Sequence, residues 1–449
     1  MELYYAPPSS KNVKKISIYA LFVVNIAVIF ALWWGNSGPY VMNPDGGNLF
    51  VGLGRIFGLL AEYFLLVQLM LVGRVKWIEH VFGFDRLNAV HRFIGYSIPL
   101  FLISHVSLLT LGYAEANGLT LTAQFIAFLT GNNEILYALV ALFLFLFVIG
   151  MSIAIVRRKL RYETWYFVHL SVYLAILLAL QHQLGAGDLW GGWALSYWYA
   201  LNFSVFGFVL AYRFVRPLYF FGKHRFVIED VVAETPDTYS LYITGKNMEQ
   251  FKFEAGQYAN ITLLARGMWY THPFSFSTAY NGKFIRFTIK SLGDYTSQVR
   301  RLKPGTKVII DGPLGLFVEE RALRKKFLLI AGGIGVTPLR SMVESLAFKN
   351  KDAVLLYGGK TADDLAFKKE FESLCQSTAS VVVHYILSTQ TPHYESGYID
   401  KEKIARLVPD FATREVFLCG PPPMMKATVE NLSGLGFSGD HIHFEKFSF

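Results

Sequence analysis

The chain of 449 residues changes its pattern of hydrophobic and polar positions twice along its length. The part before residue 217 contains six apolar stretches, each close to the ~20 residues that a helix needs to cross a bilayer. They lie at roughly 16–35, 48–73, 87–112, 133–156, 164–184 and 194–216. This pattern predicts a bundle of six transmembrane helices in residues 1–216.

Shorter runs replace the long apolar stretches after Arg216-Pro217. The runs RFVIEDVVAET, YSLYIT and KFIRFTIK alternate in polarity and are separated by Gly, Pro and Asp, a pattern typical of antiparallel strands. It predicts a small antiparallel barrel in residues 217–322. From about Lys325 the apolar runs KFLLIAGG, AVLLYGG, VVVHYIL and EVFLCG alternate with helix-like segments, which predicts a parallel α/β sheet in residues 323–449.

The cations indicate how the helices are oriented. Lys and Arg occur in the N-terminal tail, in segments 74–92 and 157–161, and at the exit of the last helix, whereas the other connections contain none. The positive-inside rule then predicts that both termini and the strand-rich half are cytoplasmic. The first apolar run continues to Trp34 without an A-x-A cleavage pattern, so we interpret it as a helix and not as a signal peptide. The small layout is typical of the bacterial inner membrane.

Composition agrees with a membrane protein, since 53% of the residues are apolar and the mean hydropathy is +0.36. The formal charge of +9 does not predict nucleic-acid binding, because many of the cations flank the apolar stretches. Cys375 and Cys419 are too few for a disulfide framework or a thiolate metal cluster.

Four histidines stand out in the membrane half. His91 and His105 lie in one apolar stretch, and His169 and His182 in another. Spacings of 14 and 13 residues place each pair about 20 Å apart along a helix, so two facing helices could clamp two stacked haems. The first spacing keeps both histidines on one face, whereas the second requires a helix that is locally tightened, bent or rotated. Alternatively, some of these histidines bond helix to helix or line a proton path.

The segments LNAVHRFIGYSIPLFLISH and HLSVYLAILLALQH resemble the third and fifth helices of the ferric reductase and NADPH oxidase superfamily. This resemblance implies that His91 and His169 hold an inner b-type haem, and that His105 and His182 hold an outer one. Ligation by two histidines fills both axial positions of the iron, which suits electron transfer.

Arg55 is the second unusual residue, because it lies toward the outer side of an apolar stretch with no carboxylate one helical turn away. A buried arginine requires an anion, and a haem propionate would serve; the alternative is an arginine that snorkels to the interface. By resemblance to the NADPH oxidases, Arg55 is expected to stabilise nascent superoxide beside the outer haem. Those oxidases often have another histidine one turn after the outer ligand, where this chain has Leu109, a departure from their oxygen pocket.

The tetrapeptide HPFS lies between two predicted strands and resembles the flavin signature of the same superfamily. The resemblance implies that the aromatic ring lies against the isoalloxazine, the hydroxyl reaches the flavin N5 and the histidine addresses the pyrophosphate. The following segment, FTIKSLGDYTSQV, implies a second diphosphate contact. Alternatively, the phenylalanine is a core aromatic and the lysine a solvated strand charge. The expected FAD-binding residues are His272, Pro273, Phe274, Ser275, Lys290, Gly293 and Thr296.

A glycine-rich loop, AGGIGVTP, follows the run KFLLI and opens a helix-like segment. Glycines let the backbone approach a phosphate, and the N-terminus of the helix supplies amide donors. The loop lacks the spacing of the dinucleotide Rossmann fingerprint but is similar to the GGxGxTP loop of ferredoxin reductase-like nucleotide domains. The residues expected to bind NAD(P)H here are Gly332, Gly333, Gly335, Thr337 and Pro338.

Two further segments resemble the nicotinamide end of the same reductases. In CGPPPMM, the resemblance places Cys419, Gly420 and Pro421 at the nicotinamide, although a buried Cys can be merely a small hydrophobic residue. In the terminal HFEKFSF, it assigns Glu445 and Phe447 as the acid and the aromatic that covers the flavin, with Phe449 as the rival aromatic.

Lys360 matches the position that binds the adenosine phosphate end of the nucleotide in these reductases, where a cation favours NADPH over NADH; the alternative is a solvated lysine.

The resemblance as a whole implies an oxidoreductase in which electrons pass from cytosolic NADPH (or NADH) through FAD and two haems to dioxygen outside, giving superoxide. An extracytoplasmic ferric or cupric reductase and a haem relay to a partner membrane or periplasmic protein are the alternatives. The expected partners are the nucleotide, the acceptor and the lipid bilayer; a protein partner is not required.

Overall fold

The computed structural model describes residues 9–131, 133–153, 159, 162–183, 187–189 and 191–445. The candidate residues Phe447 and Phe449 and most of the cationic run 157–161 lie outside these described residues. The chain divides into two compact units: a helical unit formed by Val13–Ile78 and Phe84–Tyr212, and a strand-rich unit that begins at Arg213 and includes Glu79–Gly83.

The first part of the chain is helical, as its apolar stretches predict. Its helices are α1 (Ser9–Met42), α2 (Asn48–Val72), α3 (Lys76–Phe82), α4 (Phe84–Gly95), α5 (Ile98–Asn117), α6 (Leu121–Gly131), α7 (Asn133–Ser152), α8 (Tyr162–Leu170), α9 (Val172–Gln183) and α10 (Gly192–Val209). The segments long and apolar enough to cross a membrane are Val13–Met42, Asp45–Val72, Phe84–Asn117, Asn133–Ser152, Thr164–Gln183 and Gly192–His224. The prediction of six spanning segments is therefore confirmed.

Both histidine-bearing segments are interrupted between their two histidines. α4 ends before Tyr96, α5 begins at Ile98, and Ser171 separates α8 from α9. The Ser97 and Ser171 hydroxyls each donate to the carbonyl three residues earlier, at 2.7 Å in both cases. These short-range bonds tighten the chain locally, as in a 3₁₀ turn. In the second segment, the backbone bond from Ser171 N to the Val168 carbonyl shows local tightening, one of the three expected alternatives, whereas the break in the first segment, with its bond from Ser97 N to the Ile94 carbonyl, was not predicted.

Helix α6 lies in segment 113–132, which the hydrophobic pattern predicts only as a connection. Its 11 residues rise ~16 Å, about half of the hydrocarbon thickness. A search for apolar stretches long enough to cross a bilayer therefore does not find this helix.

The strand-rich unit begins with helix α11 (Arg216–His224) and a closed barrel. The barrel strands are β1 (Val227–Thr235), β2 (Thr238–Thr244), β3 (Tyr258–Leu263), β4 (His272–Ser275), β5 (Ile285–Lys290) and β6 (Val308–Leu314). They form two antiparallel sheets with the orders β1-β2-β5 and β4-β3-β6. The bridges Val227–Lys307 and Phe276–Phe287 join the sheets at both edges, so the barrel closes around an apolar core.

A six-stranded sheet with the order β10-β9-β8-β7-β11-β12 follows, and every neighbouring pair in it is parallel. The strands are β7 (Lys326–Gly332), β8 (Ala353–Gly359), β9 (Val381–Leu387), β10 (Glu395–Ser396), β11 (Arg414–Cys419) and β12 (Ile442–Glu445). The helices are α12 (Val336–Phe348), α13 (Lys368–Ser377), α14 (Lys401–Leu407) and α15 (Pro422–Gly434). The predicted parallel α/β fold is confirmed.

The strand order creates a switch point at the centre of this sheet. From β7 the chain proceeds to β8 and β9 on one side, then returns to β11 and β12 on the other. In such sheets, ligands bind in the crevice at the carboxyl ends of the strands where the order reverses. The loops after β7 and β11 therefore flank the expected ligand crevice.

A buried ion-pair network joins the barrel to the α/β part of the same unit. Arg286 of β5, with a side chain only 3% exposed, lies 2.6 Å from a carboxylate oxygen of Glu370 on α13. Arg340 of α12 also pairs with Glu370, at 2.6 Å. Burial raises the pKa of Glu370, but the two guanidiniums lower it further, so the net shift is downward and the carboxylate stays ionised.

Candidate functional site

The structure brings the four membrane histidines together as two facing pairs. The ring centres of His91 on α4 and His169 on α8 lie 6.1 Å apart. Those of His105 on α5 and His182 on α9 lie 6.3 Å apart. The pairs are the ones expected from the sequence, and each pair joins two different helical segments.

The nitrogen Nδ1 of His105 is fixed by the backbone of α2, since it lies 2.8 Å from the carbonyl oxygen of Gly54. A carbonyl only accepts hydrogen bonds, so Nδ1 carries the hydrogen and Nε2 keeps its lone pair. α2 can approach this closely because residue 58 is glycine: a Cβ at Gly58 would lie 2.6 Å from the His105 ring.

His169 is held by a side chain from α7. The Ser152 hydroxyl donates its only hydrogen to the Val148 carbonyl at 2.8 Å and accepts from Trp165 Nε1 at 3.1 Å. The His169 Nδ1 atom lies 3.3 Å from the same oxygen and must therefore donate, which leaves Nε2 available to a metal. Trp165 also stacks on the His169 ring, with ring centres 5.0 Å apart.

These arrangements fit bis-histidine haem ligation. With a metal–nitrogen bond of about 2.0 Å and roughly 1.2 Å from that nitrogen to the ring centre, two imidazoles on opposite sides of one metal ion have centres about 6.4 Å apart. Both observed separations are close to this value. Metal-binding histidines also typically donate their second nitrogen to a nearby acceptor, as His105 and His169 do.

Arg55 follows Gly54 on α2 and has a protein carboxylate as its partner. Its Nη1 lies 3.9 Å from Oδ1 of Asp188, whose side chain is 1% exposed. The Ser37 hydroxyl donates to the same carboxylate oxygen at 2.6 Å, and the Arg55 guanidinium lies 4.9 Å from the Tyr40 ring centre. Asp188 thus supplies within the chain an anion for Arg55 that the sequence analysis did not identify.

Two other properties shape this region. Burial raises the pKa of Asp188, against the lowering effects of Ser37 and Arg55. Leu109, at the position where the oxidases often have a histidine, packs on α2: a Cβ at Gly54 would lie 2.9 Å from its Cδ2. The neighbourhood of Arg55 is therefore partly neutralised and partly apolar.

The HPFS residues form β4, paired with β3 in the barrel. His272 and Phe274 are half-buried, Ser275 is buried, and the His272 ring lies 4.0 Å from that of Tyr295. Phe276, which follows β4, forms an antiparallel bridge with Phe287 of β5, so β4 and the end of β5 that carries Lys290 run side by side. The structure thus brings the proposed flavin segments to one end of the barrel.

Two of these flavin residues have partners within the protein. Lys290 forms a partly exposed ion pair with Asp237 at 3.2 Å, so its ammonium already has an anion beside it. The Thr296 hydroxyl accepts from the amides of Leu292 and Gly293, at 2.9 and 3.0 Å. These contacts give the segment 291–296 a defined turn.

The two nucleotide loops meet at the switch point. A Cβ at Gly335 would lie 2.4 Å from the carbonyl oxygen of Cys419, and one at Gly420 would lie 3.2 Å from the Cα of Gly332. Gly333 has a φ of 51°, in the left-handed region that favours glycine. Thr337 and Pro338 form the first turn of α12, so the positive end of that helix points along the loop. Pro421 precedes α15.

Cys419 and Glu445 lie side by side, because the parallel register of β11 and β12 pairs their Cα positions. Burial, and secondarily Glu445, raises the pKa of the Cys419 thiol well above its usual range. The sulfur is therefore neutral and serves as a small group at the strand end, not as a nucleophile. Lys360 follows β8 at the same edge of the sheet and is exposed.

Several residues of these sites carry no sequence signal that we recognised. Gly58, Ser152 and Asp188 act through contacts between segments distant in the chain. One sequence signal could have indicated that α2 packs closely against α5. Glycines occur one helical turn apart on α2, at positions 54 and 58, and both are contact points.

Comparisons with known proteins agree with this layout. Residues 57–180 match the family of ferric reductase like transmembrane components, residues 225–317 match a FAD-binding domain family, and residues 329–430 match the oxidoreductase NAD-binding domain family.

Curated relatives match about half of the chain. The NADPH oxidoreductase of Mycobacterium tuberculosis is 31% identical over 242 residues, which cover 52% of this chain and 62% of that protein. The glycine betaine monooxygenase reductase subunit of Chromohalobacter salexigens is 27% identical, with coverages of 50% and 64%. The chain thus spans less than two thirds of the length of these relatives.

Among solved structures, the flavohem-like FAD/NAD binding domain of nitric oxide dioxygenase from Vibrio cholerae is 24% identical, with a TM-score of 0.45, covering 49% of this chain and 97% of that one.

On the expectation that each histidine pair holds a haem, Gly58→Ala should remove the outer haem and retain the inner one, because the added methyl group would lie 2.6 Å from the His105 ring and displace it. Haem content per chain, measured as the pyridine haemochrome, should fall from two to one. The matched control is Gly150→Ala on α7, where nothing lies within 4 Å of the added carbon. Two haems with an unchanged spectrum in Gly58→Ala would contradict the contact.

Gly335→Ala is expected to weaken NAD(P)H binding, since its Cβ would overlap the Cys419 carbonyl and separate the two loops. Overpacking of this kind costs roughly 1–3 kcal/mol, which corresponds to about 5-fold to 150-fold in affinity if it falls on the nucleotide-bound state. Nucleotide titration of the FAD-loaded protein measures this effect. Gly434→Ala, with open space around it, should bind as the unaltered protein does; equal affinities in both variants would refute the prediction.

Proposed function

From the NADPH oxidase and ferric reductase-like architecture that the chain has, we propose that it carries electrons from cytosolic NADPH through FAD and two haems to dioxygen on the other side of a membrane. The chain is an oxidoreductase in which a ferric reductase-like membrane domain is fused to FAD-binding and NAD-binding domains. This fusion supports transmembrane electron transfer.

The observation that carries the proposal is the pair of opposed imidazoles at each of two levels of the bundle. FAD, when bound, takes two electrons as a hydride and releases them singly, and haem, when bound, takes one electron at a time. The chain itself binds and orients these groups. His105 and His169 each present Nε2 because their Nδ1 atoms are engaged, and the four histidines would hold two haems, which would supply one-electron transfer without an open site for substrate on the iron.

In the strand-rich unit, the loops after β7 and β11 form a crevice whose amide donors suit a diphosphate. Cys419 keeps the nicotinamide end small and uncharged. We assign Ser275 to the flavin N5, Glu445 to the nicotinamide site and Lys360 to the adenosine phosphate of NADPH. The cations flanking the apolar segments support a cytoplasmic location for both termini, and the layout supports a bacterial inner membrane.

Dioxygen is the proposed acceptor because of the position of Arg55. This residue is next in sequence to Gly54, whose carbonyl oxygen accepts the hydrogen bond from His105. A positive charge there favours superoxide as it forms. A second candidate is an extracytoplasmic ferric or cupric reductase. A specific observation favours it, since Asp188 offsets part of the Arg55 charge and the apolar Leu109, where the resemblance expects a histidine, packs on the neighbouring Gly54. A relay to a partner protein predicts little turnover in the absence of that partner.

His91→Ala is expected to abolish the inner haem and all electron flow across the membrane, while reduction of FAD by NADPH survives. Stopped-flow absorbance separates the two steps, because flavin and haem bands differ. His80→Ala, which alters an exposed imidazole, should leave both steps unchanged. Retention of two haems in His91→Ala would overturn the ligand assignment.

The acceptor is tested by NADPH-driven reduction of cytochrome c by the purified, FAD-supplemented protein, with and without superoxide dismutase. We expect dismutase to suppress the signal, because the electrons leave as superoxide. Reduction that persists with dismutase would refute dioxygen as the acceptor and assign direct donation to metals or proteins. Ferric citrate in place of cytochrome c then distinguishes a metal reductase from a relay.

A further inference from the structure

Glu62 is a buried carboxyl in the middle of the second membrane span. It lies on α2, is 3% exposed, and belongs to the span Asp45–Val72. Its Oε2 accepts one hydrogen bond, from the Gln183 amide at 3.3 Å, and its Oε1 has no hydrogen-bond partner among the described residues. Carboxyls inside a membrane span are costly and typically mark ion or proton pathways.

The Glu62 carboxyl is tied through one amide to the helix that carries the outer histidine. Gln183 directly follows His182, and its Oε1 accepts from Trp198 Nε1 at 2.9 Å, so the amide is held from both sides. On its own helix, Glu62 lies one turn from Gly58, the residue that contacts His105. Glu62 is therefore placed at the level of the bundle where electrons would pass.

No cation neutralises Glu62 within the described part of the chain. Ionisable side chains on α2 and on the helices of the same unit include His91, His105, His182, Tyr63 and Tyr197, and none of them shares a hydrogen bond or an ion pair with Glu62. The Tyr63 hydroxyl donates to the Phe22 carbonyl and that of Tyr197 to Asn25 Oδ1. Arg55, one turn beyond Gly58, pairs with Asp188.

Polar groups continue from Glu62 toward the C-terminal end of α2. Gln68, 6% exposed, donates to the His91 carbonyl at 2.7 Å, and Asn202, 1% exposed, donates to the Trp198 carbonyl at 3.1 Å. The side-chain oxygens of both amides are buried without a donor in the described protein. Buried acceptors of this kind are suited to water, which conducts protons where an amide alone does not.

Each electron that enters the bundle adds a negative charge in a region of low dielectric, so a compensating cation lowers the cost. We propose that Glu62 is the compensating site: it takes up one proton when a haem is reduced and releases it when the electron leaves. This inference rests on the proposed function. For each electron that reduced FAD would deliver to a bound haem, the Glu62 carboxylate would take one proton from hydronium, leaving water and a carboxylic acid, and it would return that proton to water when the electron passes to the acceptor.

The test is a potentiometric titration of the FAD- and haem-loaded protein at several pH values, followed in the haem absorption bands. In the unaltered protein, the midpoint potential of at least one haem should fall by up to ~59 mV for each tenfold decrease in proton concentration. In Glu62→Gln, which keeps the shape and a hydrogen-bond acceptor, this slope should largely disappear. The matched control is Glu115→Gln, the same change at an exposed carboxyl on α5, and it should retain the slope.

Redox-difference infrared spectra give a readout independent of potential. Reduction of the unaltered protein should produce a protonated carboxylic acid band that shifts in D₂O, is missing in Glu62→Gln and moves in Glu62→Asp. A slope in Glu62→Gln equal to that of the unaltered protein, or no slope and no acid band in the unaltered protein, would overturn the proposal. If Glu62→Gln fails to bind haem, Glu62→Asp decides the assignment, because an unmoved band would exclude Glu62.

A protein that binds no haem, or that does not reduce haem with NADPH, refutes the proposed function. A protein that binds two haems and reduces them, with potentials and infrared bands insensitive to Glu62, refutes only the role of this carboxyl.

Discussion

The structure of the helical unit depends on one constraint: imidazoles on different helical segments must face each other, with ring centres about 6 Å apart, at two levels of the bundle. The helix breaks at Ser97 and Ser171, which the serine hydroxyls stabilise, lie between the two histidines of each segment. They change the direction in which the second histidine faces relative to the first. Close packing of α2 at Gly54 and Gly58 then fixes the His105 ring.

The strand-rich unit meets a different requirement, that of placing a nucleotide and a flavin in a fixed relation. The parallel sheet supplies a crevice at its switch point, and the barrel collects the HPFS segment and the turn 291–296 at one end. The Arg286–Glu370 pair locks barrel and sheet together. A buried ion pair with hydrogen-bonded geometry suits this task, since its directionality specifies an orientation that apolar packing alone leaves loose.

In the membrane half, the low dielectric makes an unpaired charge costly, and Arg55 and Glu62 meet this cost in different ways. Arg55 is tolerated because Asp188 and Ser37 surround it with acceptors, whereas Glu62 has only a neutral amide. A charged group with an oppositely charged partner in the protein keeps its charge. A group without such a partner gains or loses a proton when a nearby charge changes. The first property suits an acceptor site, and the second suits a group coupled to electron arrival.

The sequence by itself determined the six spans, the order of barrel and sheet, and the strands β1, β2, β5, β7, β8, β9 and β11. It placed HPFS, which is strand β4, between strands, and the histidine pairs came from the family resemblance. Hydrophobic periodicity and residue type are local properties, and a histidine in an apolar stretch needs no partner to be recognised. Helix α6 was missed because it is too short to register as a span. Only the tertiary structure decided the Asp188 partner of Arg55, the Ser152 contact of His169 and the bridge from Gln183 to Glu62. Each of these contacts joins different helices or loops, and periodicity within one segment carries no information about which side chain a neighbouring segment presents to it.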